Sequence, residues 1–554
     1  MVRAKVISSL EKVFLRDTWD QFPQVRELIA ARGERVSFQA VLENPFSVGA
    51  PWERMATVSV RSKLGKYIRS FCVEYVPSEL PAFVDRASGE YLTMEPGLFP
   101  DVLRPMKRGE EQFTNYYSLK TFWFTAELPE DLAPGDYAVH ITFKGASNAF
   151  CAKTSVKLCV KNAVIPASDL KFTQWFHCDS IADYFGVKMM SEKHWKLIDR
   201  FLATAAHTGI RMILTPLFTP PLDTAIGTER PTMQLVGVEK QGERYSFDFS
   251  LLDRWVALCH SHGIRYFELS HLFTQWGACA TPKIVVKVDG REEKLFGWHV
   301  PSGSELYRDF LSQFLPALVE HLDKLGIRGN CYFHISDEPS RAPGRPDFEN
   351  YLQAKQLVKQ YIGDGKILDA LSQVDFYDNG LIEYPVAATN HIEPFLSRPL
   401  KERWCYYCCS QGQEVSNRFF AMPSYRNRVL GLQMYMNKID GFLHWGHNFY
   451  YSFLSKKRID PWHTTDAVHT FPSGDAFSVY PYENGSIESL RAVVFYQGLQ
   501  DRMLLKALEA KLGEETVRAM VREIAGKEIT FKECLDAATL AAIHDKAILL
   551  LAEN

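Results

Sequence analysis

Two adjacent carboxylates follow a short apolar segment in the middle of the chain. Residues 331–335 are mostly apolar, and Ser336, Asp337, Glu338 and Pro339 come directly after them. Pro339 stops a strand and favours an extended conformation for the residue before it. Parallel barrels carry their chemistry at this end of a strand. The pair could equally solvate a loop or begin a helix, and the short pattern alone leaves both interpretations open.

Adjacent carboxylates favour one division of labour in glycoside chemistry. Ordinary glycosidases hold their two carboxyl groups about 5 Å apart when they retain configuration and roughly 6.5–9.5 Å apart when they invert it. Neighbouring residues start from one point, so we expect Glu338 to protonate the leaving oxygen and Asp337 to polarise a substrate group. In substrate-assisted glycosidases that group is the 2-acetamido of an N-acetylhexosamine, which replaces an enzyme nucleophile.

The elements that must position this pair alternate between short apolar strands and longer helical stretches. Helices are predicted at 251–261 and from Ser304, where apolar residues repeat every four positions. Hairpins are predicted at 234–249 and 283–298, where they could wall the active face. This order predicts the α/β class and a (β/α)8 barrel over 166–485. The eight predicted strands are 171–177, 211–217, 265–270, 330–335, 366–371, 385–389, 403–407 and 441–445.

Aromatic, amide and imidazole side chains recur at the ends of these strands. A single Trp or His is more often packing than ligand binding, but their recurrence fits rings that stack on a sugar and polar groups that meet its hydroxyls. Strand alternation lets only one of Tyr406 and Tyr407 face the barrel mouth, and we expect Tyr406. The predicted substrate-binding residues are Trp175, His177, Trp276, Asn390, Trp404, Tyr406, Trp445 and Asn448.

The segments on either side of the barrel have different patterns. Apolar residues alternate with polar ones at 36–42 and 137–143, which predicts an antiparallel β-sandwich over 1–165. A linker is predicted at 161–169. Residues 486–554 are predicted to form a helical segment that packs on the barrel through an apolar stripe.

Composition limits the classes of function. The chain has 554 residues with 46% hydrophobic residues and a net charge of −3, which indicates two or three soluble domains. A near-neutral balance argues against nucleic acid or an acidic membrane as partner. No stretch reaches the apolar length of a membrane span. The expected partner is a small carbohydrate or glycoconjugate, and the oligomeric state stays open.

Cysteine usage and the first residues bear on location and cofactors. The first seven residues lack an apolar signal region, and 11 scattered cysteines predict reduced thiols in a cytoplasmic protein. Cys405, Cys408 and Cys409 could suggest zinc, but no second Cys or His pair follows at the required spacing. We therefore expect buried strand cysteines, no metal and no cofactor.

A family resemblance rests on several of these stretches. The order and spacing of the similarity extend over about 170–505, and the leading sandwich fits the same layout. The resembling stretches are 332–339, 441–448, 473–475, 480–481 and 489–501. Together they resemble glycoside hydrolase family 123.

The resemblance implies an activity and two catalytic roles. Members are β-N-acetylgalactosaminidases that use an Asp–Glu pair by substrate assistance, which would make Asp337 the orienting group and Glu338 the acid/base. The implied reaction is exo-acting and retaining, and it removes terminal β-linked N-acetylgalactosamine. The alternatives are a β-glycosidase for another amino sugar, such as β-N-acetylglucosamine, and a non-catalytic carbohydrate-binding protein.

Overall fold

Two five-stranded sheets form the N-terminal part of the computed structural model, which describes residues 2–44, 54–87, 90–114, 119–341 and 346–553. The strands of the first sheet are β1 (Arg3–Ser8), β3 (Arg35–Glu43), β5 (Ile68–Ser78), β6 (Gly97–Pro105) and β8 (Leu119–Glu127). Those of the second are β2 (Glu27–Arg32), β4 (Met55–Arg61), β7 (Glu111–Phe113), β9 (Gly135–Gly145) and β10 (Cys151–Val164).

The two sheets pack face to face through the alternating apolar residues. Phe122 on β8 of the first sheet meets Phe143 on β9 of the second with ring centroids 5.1 Å apart, and both belong to the buried core between the sheets. The predicted sandwich is therefore confirmed. One strand pair, β2 with β10, is parallel, whereas the other pairs of these sheets are antiparallel. Strand β10 extends to Val164, so part of the predicted linker is strand.

The next part of the chain closes into an eight-stranded parallel barrel. The last strand pairs with the first, with Gly441 opposite Lys171, and the predicted barrel is confirmed. Each predicted strand overlaps one observed strand. The barrel strands are β11 (Lys171–Gln174), β12 (Met212–Thr215), β15 (Tyr266–Leu269), β18 (Cys331–Phe333), β19 (Lys366–Leu371), β20 (Tyr384–Ala388), β21 (Trp404–Tyr406) and β22 (Gly441–His444).

Strand alternation separates the inside of the barrel from its outside. On and just after β21, Trp404 and Tyr406 join the cluster that fills the barrel interior, whereas Cys405 and Tyr407 join the core beneath the helices. The expectation that Tyr406 and not Tyr407 faces the barrel mouth is correct, because successive side chains on a strand point to opposite faces.

Eleven helices lie in the part of the chain that the structure describes, none of them long and apolar enough to cross a membrane. Helices α6 and α7 have four residues each, so neither leaves a periodic pattern in the sequence. The helices are α1 (Cys178–Phe185), α2 (Glu192–His207), α3 (Ser250–Ser261), α4 (Glu305–Lys324), α5 (Asp347–Ile362), α6 (Asp375–Asp378), α7 (Glu393–Leu396), α8 (Ser424–Met436), α9 (Leu490–Leu512), α10 (Glu514–Ala525) and α11 (Ala537–Ala552).

The two predicted hairpins form a single four-stranded sheet beside the barrel. Strands β13 and β16 pair in parallel, which joins one hairpin to the other. Each hairpin is an insertion after a barrel strand, β12 or β15. The strands are β13 (Gly237–Gln241), β14 (Arg244–Asp248), β16 (Ile284–Val288) and β17 (Arg291–Phe296).

The chain turns from strand to helix just after the barrel. Strands β23 (Val479–Tyr482) and β24 (Gly485–Glu488) form a hairpin, so the prediction of helix from residue 486 was wrong at its start. Helix α9 begins at Leu490, where the Ser489 hydroxyl accepts a hydrogen bond from the Ala492 amide at 3.1 Å. This serine cap is a standard helix start.

The sandwich reaches the loops at one end of the barrel. The Ser78 hydroxyl lies 2.6 Å from the Ser473 hydroxyl, and the Ser473 amide donates to the Leu80 carbonyl at 2.9 Å. Nearby, the Tyr91 hydroxyl donates to the Gly412 carbonyl at 2.7 Å. Two barrel loops are therefore hydrogen-bonded to one segment of the sandwich.

A nearly buried ion pair links the last helix to the sandwich. His544 of α11 places Nε2 3.0 Å from Glu34 and Nδ1 2.9 Å from Asp545. Glu34 also accepts a hydrogen bond from the Ala31 amide at 2.7 Å. Burial alone lowers the pKa of His544, but the two carboxylates outweigh it and raise the pKa to about 10.

We expect His544→Gln to destabilise the protein by about 3 kcal/mol at neutral pH, because it leaves the Glu34 carboxylate buried without its charged partner. A folded-state pKa of about 10 against an ordinary 6.5 means that the contribution is complete below about pH 6.5 and is lost as pH rises through 10. Chemical unfolding measured from pH 6 to 10 checks both effects.

The variant should therefore show a flatter pH dependence than the parent chain over this range. Lys324→Ala is the matched control, since it removes an exposed ion pair with Glu320 within one helix. Parallel stability curves for His544→Gln and the parent would contradict a charged histidine at this interface.

Candidate active site

A cavity opens where the barrel strands end, and we refer to it as the barrel cavity. Its polar lining residues include Asp223, Gln275, Asp337, Glu338, Tyr406 and Ser410. Its aromatic lining residues include Trp175, Trp276, Trp445, Phe449, Phe453 and Phe471.

The carboxylate pair sits at the cavity floor because β18 ends just before it. Asp337 is 4% exposed, and its Oδ2 accepts a hydrogen bond from the Gln275 side-chain amide at 2.6 Å. Glu338 has a φ of +44°, and its amide donates to the Ala370 carbonyl at 3.2 Å. A left-handed conformation is costly for a residue other than glycine, and such strain concentrates at functional sites. Here the turn directs both carboxyl groups into one cavity.

The surroundings of the pair favour one shared proton. Burial and the neighbouring Glu338 charge raise the pKa of Asp337 well above its ordinary value. Burial also raises the pKa of Glu338, against hydrogen bonds from the Tyr406 and Trp276 side chains. The Tyr406 hydroxyl donates to Glu338 Oε1 at 2.7 Å. Two coupled carboxyls of this kind titrate as a unit, with one group protonated when the other is ionised.

A relay of hydrogen bonds fixes Gln275 beneath the pair. Its side-chain oxygen accepts from the Asp223 amide at 2.7 Å while its nitrogen donates to Asp337. The Asp223 carboxylate accepts from the Leu454 amide at 3.0 Å, and its carbonyl accepts from the Ser455 hydroxyl at 2.7 Å. The loops after β12, β15 and β22 therefore share one network that orients Asp337.

Below the cavity, a histidine lies between two buried carboxylates. His334 has Nε2 3.0 Å from Glu268 and Nδ1 2.8 Å from Asp369. Glu268 also accepts from the Trp175 indole at 2.9 Å, which fixes that ring in the cavity wall. Burial lowers the pKa of His334, but the two carboxylates raise it overall to about 9. The imidazole is therefore a cation at neutral pH, since it donates from both nitrogens.

His271, His334 and Asp369 also bring potential metal ligands within 4.8 Å of one another. The two imidazole rings stack at 4.3 Å and 19°, so their lone pairs run side by side instead of converging. Both His334 nitrogens already face carboxylates. The geometry of this cluster favours a protonated His334 between two carboxylates over a bound metal ion.

Trp445 forms a second wall and is held from behind by Asp475. The indole donates to Asp475 Oδ2 at 3.0 Å, and His444 Nε2 lies 3.3 Å from Oδ1 of the same carboxylate. Phe449 and Phe471 meet the Trp445 ring edge to face at 5.0 and 5.2 Å. Burial raises the pKa of Asp475 to about 7. Asp475 thus positions an aromatic wall of the cavity.

Comparison with known families identifies this arrangement. The model of the glycoside hydrolase 123 catalytic domain matches residues 175–508, more than half of the chain, and all the residues lining the barrel cavity lie within that span. The chain belongs to glycoside hydrolase family 123. The resemblance drawn from the strand-end sequences is confirmed.

Solved structures support the fold. A family 123 glycoside hydrolase from Clostridium perfringens, studied for glycolipid glycan hydrolysis, aligns over 100% of this chain and 98% of its own at a TM-score of 0.72 and 15% identity. A termite-gut GH10 xylanase with a bacterial Ig-like domain is 12% identical and aligns over 87% of this chain and 100% of its own, at a TM-score of 0.32. A Parabacteroides merdae β-glucuronidase is 8% identical and aligns over 84% of this chain and 50% of its own, at a TM-score of 0.30. Both TM-scores are too low to carry an argument. No curated protein matches the sequence.

Five of the eight predicted substrate-binding residues line the barrel cavity of this family 123 enzyme. They are Trp175, His177, Trp276, Tyr406 and Trp445. Both nitrogens of His177 are already used: Nδ1 accepts from Arg230 and Nε2 donates to the Trp445 carbonyl, each at 3.0 Å. His177 therefore presents its ring to the cavity and keeps its polar atoms for the loop behind.

The other three do not line the barrel cavity, which corrects the prediction for them. Asn448 is fully buried and exchanges two hydrogen bonds with the His177 backbone. Trp404 lies deeper in the barrel, where its indole donates to Glu402 at 2.9 Å. Asn390 accepts from Gln411 at 2.9 Å and borders a separate cavity.

Sequence reasoning missed lining residues that come from long loops. Asp223, Phe453 and Phe471 stand in loops after β12 and β22, far from any strand end. Of the three clustered cysteines, Cys408 and Cys409 line the cavity just after β21, and Cys405 alone is buried on the strand as predicted. No periodic pattern in the sequence marks residues in loops. The Cys408-Cys409-Ser410 sequence is an exception, because it follows the inward-facing Tyr406 so closely that its residues could be expected to line the cavity.

We expect Tyr406→Phe to raise the pKa that controls the alkaline limb of hydrolysis, because the tyrosine hydroxyl stabilises the ionised form of Glu338. The pH profile of kcat/KM on an aryl glycoside measures this shift. Tyr407→Phe is the matched control, since Tyr407 faces away from the barrel cavity beside Asn427. An unshifted limb in Tyr406→Phe would mean that Glu338 is not the titrating acid.

Proposed function

We propose that this family 123 enzyme removes terminal β-linked N-acetylgalactosamine as an exo-acting, retaining glycoside hydrolase that uses substrate assistance. The observation that carries the proposal is the carboxylate pair at one strand end in the barrel cavity, with Asp337 held by Gln275 and Glu338 held by Tyr406. Groups that start from adjacent residues suit one bound acetamido sugar better than opposite faces of a ring.

Each carboxyl group has a distinct role in the proposed reaction. The substrate's acetamido N–H favours the ionised form of Asp337, so in the complex Glu338 carries the shared proton. Glu338 gives this proton to the glycosidic oxygen as the bond to the anomeric carbon breaks. The substrate's acetamido oxygen attacks that carbon, while ionised Asp337 accepts a hydrogen bond from the acetamido N–H and stabilises the oxazolinium ion. Glu338 then takes a proton from a water molecule that attacks the anomeric carbon from the side where the leaving group was. This attack opens the oxazolinium ring, and the anomeric configuration is retained.

The lining of the cavity supports an N-acetyl sugar. Trp175, Trp445, Phe449 and Phe471 give its walls an apolar character that suits the acetamido methyl group and the C–H faces of a pyranose. The preference for galacto over gluco configuration rests on the family. The C. perfringens relative acts on glycolipid glycans, and we propose a glycan of this kind as the natural substrate.

We expect Glu338→Gln to lower kcat/KM for a natural disaccharide by roughly 10²–10⁴-fold, the usual contribution of a general acid. With a dinitrophenyl glycoside the loss should be much smaller in the first chemical step, because that leaving group needs little protonation. Rates on both substrates, measured for the parent and for Glu338→Gln, decide the matter. Equal losses on the two substrates would remove Glu338 from the acid role.

We expect the rate to fall steeply when fluorine replaces hydrogen in the substrate's acetamido group, because its carbonyl oxygen becomes a weaker nucleophile. Asp337→Asn should lower turnover by roughly 10²–10³-fold, as loss of a transition-state contact does. The same variant should weaken binding of a thiazoline mimic of the intermediate.

An N-acetyl, monofluoroacetyl and trifluoroacetyl series of aryl β-galactosaminides measures this dependence, with aryl β-glucosaminide and aryl β-galactoside as specificity controls. Turnover of the aryl β-galactoside, or a glycosyl ester trapped by a fluorosugar on any carboxylate, would overturn substrate assistance.

A further inference from the structure

We propose that Cys408 and Cys409 form a dithiol binding site in the wall of the barrel cavity, which takes one thiophilic ligand with two bonding positions, such as a trivalent organoarsenical. Occupation of this site blocks hydrolysis. The site lies outside the proposed catalytic chemistry, because neither thiol has a role in that reaction.

The two thiols are neighbours in space as well as in sequence. Both side chains line the barrel cavity, and both are partly exposed. The Cys409 thiol is the largest influence on the pKa of Cys408, and together with burial it raises that pKa well above the ordinary value. Cys408 is therefore a protonated thiol at neutral pH, and neither cysteine forms a disulfide.

The backbone around the pair is fixed on three sides. The Cys408 amide donates to the Gln411 side chain at 2.8 Å, and the Cys408 carbonyl accepts from Asn417 at 2.8 Å. The Cys409 amide donates to Asp475, the same carboxylate that holds the Trp445 indole. The two sulfur atoms are thus presented to the cavity by a segment with little freedom, which favours a ligand that bonds to both.

A ligand on this pair would occupy the space that the sugar needs. Cys408 is two residues after Tyr406, whose hydroxyl contacts Glu338, and its thiol interacts electrostatically with the Glu338 carboxylate. A bulky group bonded to both sulfurs therefore projects toward the acid/base and excludes substrate.

The binding reaction balances without an oxidant. An arsenoxide, R–As=O, reacts with two thiols to give R–As(S)₂ and one water. Two As–S bonds form, the As=O bond and both S–H bonds break, and both thiol protons leave on the oxygen. Arsenic stays trivalent and no electrons are transferred.

The other nine cysteines do not offer such a site in the part of the chain that the structure describes. Cys151 and Cys279 are exposed and lie in separate parts of the fold, and Cys534 is partly buried near the C-terminus. The remaining cysteines, Cys72, Cys159, Cys178, Cys259, Cys331 and Cys405, are buried.

Phenylarsine oxide and the full-length chain provide the test. Native intact-mass measurement should show one adduct per chain and the loss of two titratable thiols. Hydrolysis of an aryl glycoside should cease and should return with 2,3-dimercaptopropanol but not with an equal amount of 2-mercaptoethanol. An N-acetylhexosamine in the cavity should slow the reaction.

Variants locate the adduct. Cys408→Ser and Cys409→Ser should each weaken arsenical retention by roughly 10²–10⁴-fold, because the second bond to a held ligand is intramolecular. Cys279→Ser, which removes an exposed single thiol, should bind as the parent does. Each inhibition is compared with the activity of the same variant before treatment.

A measurement on the parent chain removes dependence on how the variants fold. After arsenical treatment, alkylation under denaturing conditions and peptide mapping should show protection of Cys408 and Cys409 alone. Protection of another pair, unchanged retention in both serine variants, or an adduct that leaves hydrolysis intact would overturn the proposal. The mass and mapping readouts do not depend on which sugar the enzyme hydrolyses.

Discussion

Two carboxyl groups held side by side in a cavity with largely apolar walls cannot both ionise at low cost, and the rest of the site is built around that constraint. The left-handed turn at Glu338 keeps the pair together at the end of β18. Gln275 donates to one carboxyl and Tyr406 to the other, so the two groups meet different partners from different strands. The asymmetry of these donors gives chemically similar neighbours distinct environments.

Charged side chains are also buried beneath the Asp337–Glu338 pair, and removing them from water costs free energy. His334 lies between Glu268 and Asp369 in the barrel interior, where desolvation of each charge is offset only by close pairing. Glu268 in turn anchors the Trp175 ring. The cluster adds little to the stability of the fold, but it fixes the Trp175 wall of the cavity. Its paired side chains also fill the space below Asp337 and Glu338 and have little freedom to move. In the same way, the buried carboxylate of Asp475 fixes the Trp445 ring by accepting a hydrogen bond from its indole.

The barrel and the catalytic pair were accessible from sequence because both depend on local patterns. Short apolar runs marked all eight strands, and the acidic pair stood directly after one of them. Alternation along β21 was enough to place Tyr406 inside and Tyr407 outside. The direction of the side chain was harder to predict for Asn448 and Asn390, because a loop residue can turn either way and the partners of both lie outside the lining of the barrel cavity. Phe471 and Asp223 could not be predicted, since both stand in long loops. A ring contact with Trp445 places Phe471, and a hydrogen bond from Leu454 holds Asp223.

The contacts between the sandwich and the barrel loops have an evolutionary meaning. Ser78 and Leu80 hold Ser473, two residues before the carboxylate that supports Trp445, and Tyr91 holds the loop that follows Cys409. The wall of the barrel cavity is therefore set partly by a segment that carries none of its side chains. Natural variation in that remote segment can shift the cavity wall while every barrel residue stays the same, so a change of substrate range in this lineage need not arise in the catalytic strands.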